Sequence, residues 1–288
     1  MMKRLLCLTV AIFALGAAPA VPDFSYDRAA PLAVETIATH RADGIETRDV
    51  RFRSGDRFVT ASIVRPVGGI GKRAGILFVH WLGEPKTTNR TEFMPDATAL
   101  AKRGATSLLV DAMWSKDDWF TSGRSTDTDY AESIAQVVAL RHALDVLAAQ
   151  PDVDASRLAY VGHDFGAMYG ALLAGVDTRP KYYVFMTPTI DFWDWYLLGK
   201  APADPSAYLD QMSSFDLPRW LPHATMAATL LQFAKRDEYV AASTAASFRN
   251  IVPNRDRTLK SYDADHSLVD SAASADRLAW LAAHLGLQ

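Results

Sequence analysis

Three residues of this chain could share one reaction: Asp164, Asp237 and His266. Asp164 is the centre of Gly162-His-Asp-Phe-Gly166, between the apolar runs Arg157-Leu-Ala-Tyr-Val161 and Ala167-Met-Tyr-Gly-Ala-Leu-Leu-Ala174. Glycine at both ends suits a bend too cramped for side chains, and a carboxylate at its apex could attack carbon. Displacement at an sp³ carbon would give an alkyl ester of the enzyme, whereas attack on an ester carbonyl would give a mixed anhydride, a costlier intermediate. Asp164 should be ionised near neutral pH, so that first step would need no base. His266, oriented by Asp237, would then take a proton from the water that hydrolyses the enzyme ester.

These residues need a scaffold that brings positions about a hundred residues apart to one place. Residues 49–53 and 58–64 alternate apolar and polar side chains around Ser54-Gly-Asp56, which predicts an antiparallel hairpin. Short buried-type strands follow at 74–79, 106–110, 158–161, 182–186, 229–233 and 258–262. Apolar spacing of three and four residues predicts helices over Phe93–Lys102, Tyr130–Ala149 and Leu268–Leu285. Strands alternating with helices predict an α/β fold, a mainly parallel eight-stranded sheet flanked by helices. Residues 21–45 look extended and loose, and 191–222, rich in aromatic residues and proline, read as a short lid insertion. Met113-Trp114, Trp119-Phe120 and Phe192-Trp-Asp-Trp-Tyr196 fall on loops after strands, which implies an apolar pocket for a small-molecule substrate.

Composition narrows the function classes. Thirty Lys and Arg against 33 Asp and Glu give a net charge of −3, with no basic run that could track a phosphate backbone, so nucleic acid is not an expected partner. Met1-Met-Lys-Arg4, an apolar stretch to about Ala17 and Ala18-Pro-Ala20 have the form of a secretory signal peptide, with no membrane anchor left after cleavage. Residues 21–288 would then be one periplasmic or secreted domain. The one cysteine, Cys7, lies in that leader, which excludes disulfides and a cysteine nucleophile from the rest. The histidines lack mutual ligand spacing, so neither metal nor cofactor is expected.

With strand, tight turn and helix around Asp164, and an acid and a histidine following in that order, the chain resembles the α/β-hydrolase superfamily over nearly all of residues 21–288. Lys235-Arg-Asp-Glu-Tyr-Val240 and Asp263-Ala-Asp-His266 look like the dienelactone-hydrolase-related branch. Gly162-His-Asp-Phe-Gly166 looks instead like the turn of epoxide hydrolases and dehalogenases, which use an aspartate nucleophile. Each likeness has a departure: dienelactone hydrolases carry cysteine at the turn, and His80-Trp-Leu-Gly83 differs from the His-Gly-x-Pro loop of epoxide hydrolases. The resemblance implies the α/β-hydrolase fold and a catalytic set of Asp164, Asp237 and His266. It also implies an oxyanion hole from the N–H of Phe165 and that of Trp81 or Leu82, with His80 bracing the loop. Leaving-group contacts would come from the indoles of Trp81, Trp193 and Trp195 for a halide, or from Tyr196 or Tyr208 for an epoxide oxygen. The leading expectation is an exported hydrolase acting on a small apolar epoxide or alkyl halide through an Asp164 ester. The alternatives are an esterase or lactonase, and a catalytically silent binding protein on the same fold.

Overall fold

The computed structural model describes residues 21–288 apart from 70, 85–87 and 199; the expected leader lies outside the described residues. The strands are β1 Glu35–Ala42, β2 Ile45–Ser54, β3 Arg57–Pro66, β4 Arg73–Val79, β5 Thr106–Val110, β6 Val153–His163, β7 Pro180–Met186, β8 Ala228–Ala234 and β9 Asp256–Tyr262. They form one sheet in the order β1-β2-β3-β5-β4-β6-β7-β8-β9. β1, β2, β3 and β5 pair antiparallel, and every pair from β5 through β9 is parallel.

The sheet therefore has nine strands where eight were expected. The extra one is β1, inside the supposedly loose lead-in, and all eight of its residues are exposed. With neither face buried it has no reason to alternate apolar and polar side chains, so it carries no strand signature. The central strands are the opposite case: β5 and β8 are buried at every position and β4 at all but its first, as continuous apolar runs covered on both faces demand.

The helices are α1 Met94–Lys102, α2 Asp129–Ala148, α3 Phe165–Val176, α4 Trp193–Leu197, α5 Pro205–Met212, α6 Leu217–Trp220, α7 Ala242–Ile251 and α8 Ser271–Leu285. α1 and α8 cover one face of the sheet, where Phe93, Leu100 and Leu281 pack with Ile76, Phe78 and Val161. α2, α3, α7 and the 191–222 segment cover the other, where Leu140, Phe165, Met168 and Phe248 pack with Leu77, Tyr160 and Phe185. The 191–222 segment is pinned to this face by Phe192, Tyr196, Tyr208, Met212, Phe215, Leu217 and Leu221, all buried.

β4 has β5 on one side and β6 on the other, so connections leave it in opposite directions and a crevice opens at the carboxyl ends of the strands. The loops after β4, β6, β8 and β9 meet there, carrying Trp81-Leu82, Asp164, Asp237 and His266.

Candidate active site

Asp164 sits between β6 and α3 with φ 56° and ψ −117°, a backbone state that is costly for any residue but glycine. Its neighbours enforce it. A Cβ on Gly162 would run into the Gly166 carbonyl, and one on Gly166 into the Val79 carbonyl, so the bend admits no side chain at either position. The Asp164 N–H is anchored on the Met186 carbonyl of β7 at 2.9 Å, and α3 begins with the Met168 N–H bonded back to the Asp164 carbonyl.

The two carboxyl oxygens of Asp164 have different surroundings. Oδ2 accepts the Leu82 N–H at 2.9 Å, and the backbone amide of Phe165, at the start of α3, favours negative charge on this carboxyl. One of the expected oxyanion-hole donors, the Leu82 N–H, thus holds the side chain of Asp164 itself. Leu82, not Trp81, supplies the donor on the β4 loop, since the Trp81 N–H is taken by Glu92 Oε2 at 2.9 Å. Oδ1 has no hydrogen-bond partner and no exposure of the residue to solvent compensates for it. Burial pushes the Asp164 carboxyl well above the usual carboxylate range; the Leu82 and Phe165 amides oppose this, and the negative charges of Glu92 and Asp237 add to it. Against the expectation of a carboxylate that ionises freely, burial with no cation beside it works in favour of the protonated form.

His266 is a base in waiting. Its Nδ1 lies 2.9 Å from Asp237 Oδ2 and 3.0 Å from Oδ1, so Nδ1 carries the proton and Nε2 is left with a lone pair. Nε2 is buried without a partner. Burial pulls the imidazole pKa below its ordinary value against the upward pull of Asp237, which keeps the ring neutral at pH 7. Asp237 itself is held below the usual range: burial would raise it, but His266 and the N–H groups of Tyr239 and Val240 outweigh burial.

A second histidine ties the parts together. His163 Nδ1 meets Glu92 Oε1 at 2.7 Å and its Nε2 meets the His266 carbonyl oxygen at 3.0 Å. With the Trp81 N–H on the other Glu92 oxygen, one carboxylate and one ring join the loops after β4, β6 and β9. Trp81 also stacks on the His163 ring, centroids 5.3 Å apart. His80 braces the β4 loop as expected: Nδ1 faces the Trp81 carbonyl and Nε2 accepts the Ala112 N–H at 3.1 Å.

Asp164 and His266 open on a cavity of about 460 Å³. Trp81, Leu82 and Trp195 border it, as expected. Trp193 does not, and Tyr196 is a correction: wholly buried, its hydroxyl is tied to Ser133 and Tyr169, so it is core and cannot reach a leaving group. Tyr208 is likewise spent on Asp129, at 2.7 Å. The alternation that buries Trp195 toward the cavity turns Tyr196 toward α2 and α3, a choice that an unbroken aromatic run does not reveal. Tyr239 and Glu92 were missed; Tyr239 lies 5.2 Å from the His266 ring, and a single glutamate before a helix has no motif to mark it.

No protein-family model matches the sequence, and no curated protein does. Solved structures do match. An acetyl xylan esterase from Paenibacillus sp. R4 superposes with a TM-score of 0.71 at 20% identity, over 88% of this chain and 89% of that one. The chain has the α/β-hydrolase fold. Acetyl xylan esterase 1 from Thermoanaerobacterium gives 0.70 at 17% identity, over 92% and 96% of the two chains. A Klebsiella pneumoniae protein described as a candidate dienelactone hydrolase gives 0.62 at 16%, over 84% and 98%. Within the α/β-hydrolase fold, then, the layout is the one shared by these esterases and dienelactone-hydrolase-like proteins.

Proposed function

We propose that the protein is a hydrolase of small uncharged esters in which water, not the enzyme, attacks the carbonyl. The observation that carries this is the division of labour at Asp164: Oδ2 fills the amide hole, while Oδ1 and His266 Nε2 are the two buried, unpartnered polar atoms beside the cavity. A serine at this position would leave the hole free for a substrate carbonyl; here an ester oxygen has no access to it. A neutral Asp164 offers a replacement, since its acceptor oxygen is held by the Leu82 amide and its O–H can donate to the substrate carbonyl oxygen. A buried carboxylic acid kept neutral is a known way to place such a donor.

In this scheme His266 Nε2 takes a proton from water as the oxygen bonds to the carbonyl carbon. The π electrons move to the carbonyl oxygen, held by the Asp164 O–H. Asp237 steadies the imidazolium that forms. Collapse breaks the bond to the alcohol, which takes the proton from His266, and acid and alcohol leave. The esterases among the similar structures favour esters as the substrate class.

Attack by an ionised Asp164 on an sp³ carbon is the second reading, that of an epoxide or alkyl halide hydrolase. One observation favours it: Oδ2 already rests where charge would build up on the enzyme's own carbonyl in the second step, at the amino end of α3.

Asp164→Asn and turnover in H₂¹⁸O separate the two. Asparagine keeps an acceptor for the amides and a donor for the substrate, so ester hydrolysis should persist, whereas Asp164→Ala should lose roughly 10²–10³ in kcat. The label should enter the product acid and leave the peptide containing Asp164 unlabelled. Label in that peptide after a single turnover, with Asp164→Asn inactive, would overturn the ester mechanism in favour of the covalent one.

A further inference from the structure

Resting on that reading of the site, we infer that the substrate carries an aromatic ring and no charge near the scissile bond. The walls of the cavity point to this. Beside His266 stand Trp195, Tyr239 and Trp81, with ring centroids 5.1, 5.2 and 5.9 Å from the imidazole. Across the cavity Trp119 and Phe120 stand on the turn Trp119–Gly123, with Trp114 behind them.

The rings of the turn, Trp119 and Phe120, are packed as planes, while Tyr239 on the opposite side is 57% exposed. Trp119 packs edge-on to Phe165 and to Tyr196, at 5.9 and 6.2 Å. The Arg124 guanidinium lies behind both rings of the turn, 5.8 Å from Trp119 and 5.5 Å from Phe120. That guanidinium is itself buried and ion-paired with Asp129, so it backs the wall without facing a ligand. A preformed slot between flat, rigid aromatic faces gains most from a flat apolar guest, because neither side loses rotamer freedom on binding.

Charge sets the second half of the inference. Among the described lining residues there is no arginine; Lys116 is the one cation, and Glu84 and Asp118 line the same cavity. Among the described lining residues a substrate bearing a carboxylate would find no guanidinium to clamp it, and Asp118 shares the wall with the lysine. An acetylated sugar, the substrate class named for two of the similar structures, also stacks on indole. Its many hydroxyl or acetyl oxygens would need polar partners, yet about half of the described lining is aromatic rings and leucine: Trp81, Leu82, Trp114, Trp119, Phe120, Trp195, Leu198 and Tyr239.

The test compares kcat/KM for phenyl acetate and methyl benzoate with that for ethyl acetate and fully acetylated xylose. The two phenyl esters place the ring on the alcohol and acyl sides respectively, so their ratio says which side the slot serves. With each kcat/KM divided by the rate constant for hydroxide hydrolysis of the same ester, which removes the leaving-group difference, at least one should exceed both non-aromatic esters by about tenfold or more, the scale set by fitting a few apolar carbons into a pocket. 4-Carboxyphenyl acetate should fall below phenyl acetate. Phe120→Ala, at a half-buried position that the fold can lose, and Tyr239→Ala should each narrow the aromatic preference. Equal or better turnover of ethyl acetate or acetylated xylose, or of the carboxylated ester, would overturn the inference. Should no ester turn over at all, the ester reading falls and the slot is read by calorimetry with benzamide against acetamide. Benzamide binding that weakens in Phe120→Ala sustains the aromatic slot, and equal or absent binding of both amides overturns it.

Discussion

Asp164 and His266 each have one unpartnered buried polar atom and line the same cavity, and in the proposed ester mechanism the protonation of each decides whether the pair works. The base must be neutral and its pKa is pulled below the ordinary histidine value, so activity should rise with pH in the acid range, with its midpoint below about 6.5. The acid must keep its proton and its pKa is pushed well above the ordinary carboxylate value, so activity should fall again as pH passes that raised pKa. A bell-shaped kcat/KM profile follows, and Asp164→Asn, which has no proton to lose, should retain the acid limb and lack the alkaline one. A covalent aspartate predicts the reverse, activity climbing as Asp164 ionises. The stability sign is the same: between the unfolded and folded pKa values of Asp164 the folded chain binds more protons, so stability is lost as pH rises through that window. At this scale the sequence was informative about identity and poor about state. The type and spacing of Gly162, Asp164, Gly166, Asp237 and His266 marked residues that the fold brings to one crevice, but the burial that raises the Asp164 pKa depends on residues from several loops.

At the scale of elements, the site is a meeting of loops after β4, β6, β8 and β9, and Glu92 with His163 is what ties three of them. Both nitrogens of His163 face acceptors, a carboxylate and a backbone carbonyl. Nε2 therefore donates to the His266 carbonyl. Glutamine at 92 can reproduce both contacts, its amide N–H donating to Nδ1 and its carbonyl accepting from Trp81. Glu92→Gln should thus keep kcat close to wild type. Glu92→Ala frees the Leu82 donor and the His266 loop to shift, and a displacement of about 1 Å can cost as much as ~100-fold. KM should move less than kcat, and loss of activity in the glutamine variant would refute the positioning role. The strands that build this meeting point were legible because burial on both faces writes itself as continuous apolar sequence. β1 was not, since an edge strand exposed on both faces is under no such constraint, and neither was the Glu92 brace, since a contact between loops has no period.

Across the whole molecule, the amino-terminal segment is packed against the same aromatic body that walls the site. Phe24 is 4% exposed, and its ring lies 5.0 Å from Trp220 and 6.2 Å from Phe215. Phe215 meets Phe192 at 5.3 Å, Phe192 meets Tyr196 at 5.5 Å, and Tyr196 meets Phe165, the residue after Asp164, at 5.5 Å. Polar ties fix the segment as well: Arg141 donates to the Phe24 carbonyl at 2.7 Å and the Tyr26 hydroxyl to Asp145 at 2.8 Å. An unbroken row of rings invites the view that the terminus tunes the chemistry, but contiguity alone is not coupling; that requires an element with two arrangements which both ends bias. The row is buried with close ring contacts throughout, which makes it a single packed body with no second arrangement to select. Phe24→Ala should therefore cost about 3 kcal/mol of stability, the usual range for emptying a buried phenylalanine site, measured by urea unfolding. The folded fraction should keep its kcat/KM within about twofold, because four ring contacts separate the lost side chain from Asp164. A large fall in kcat/KM at full occupancy of the folded state would show that the terminus and the site do share a two-state element.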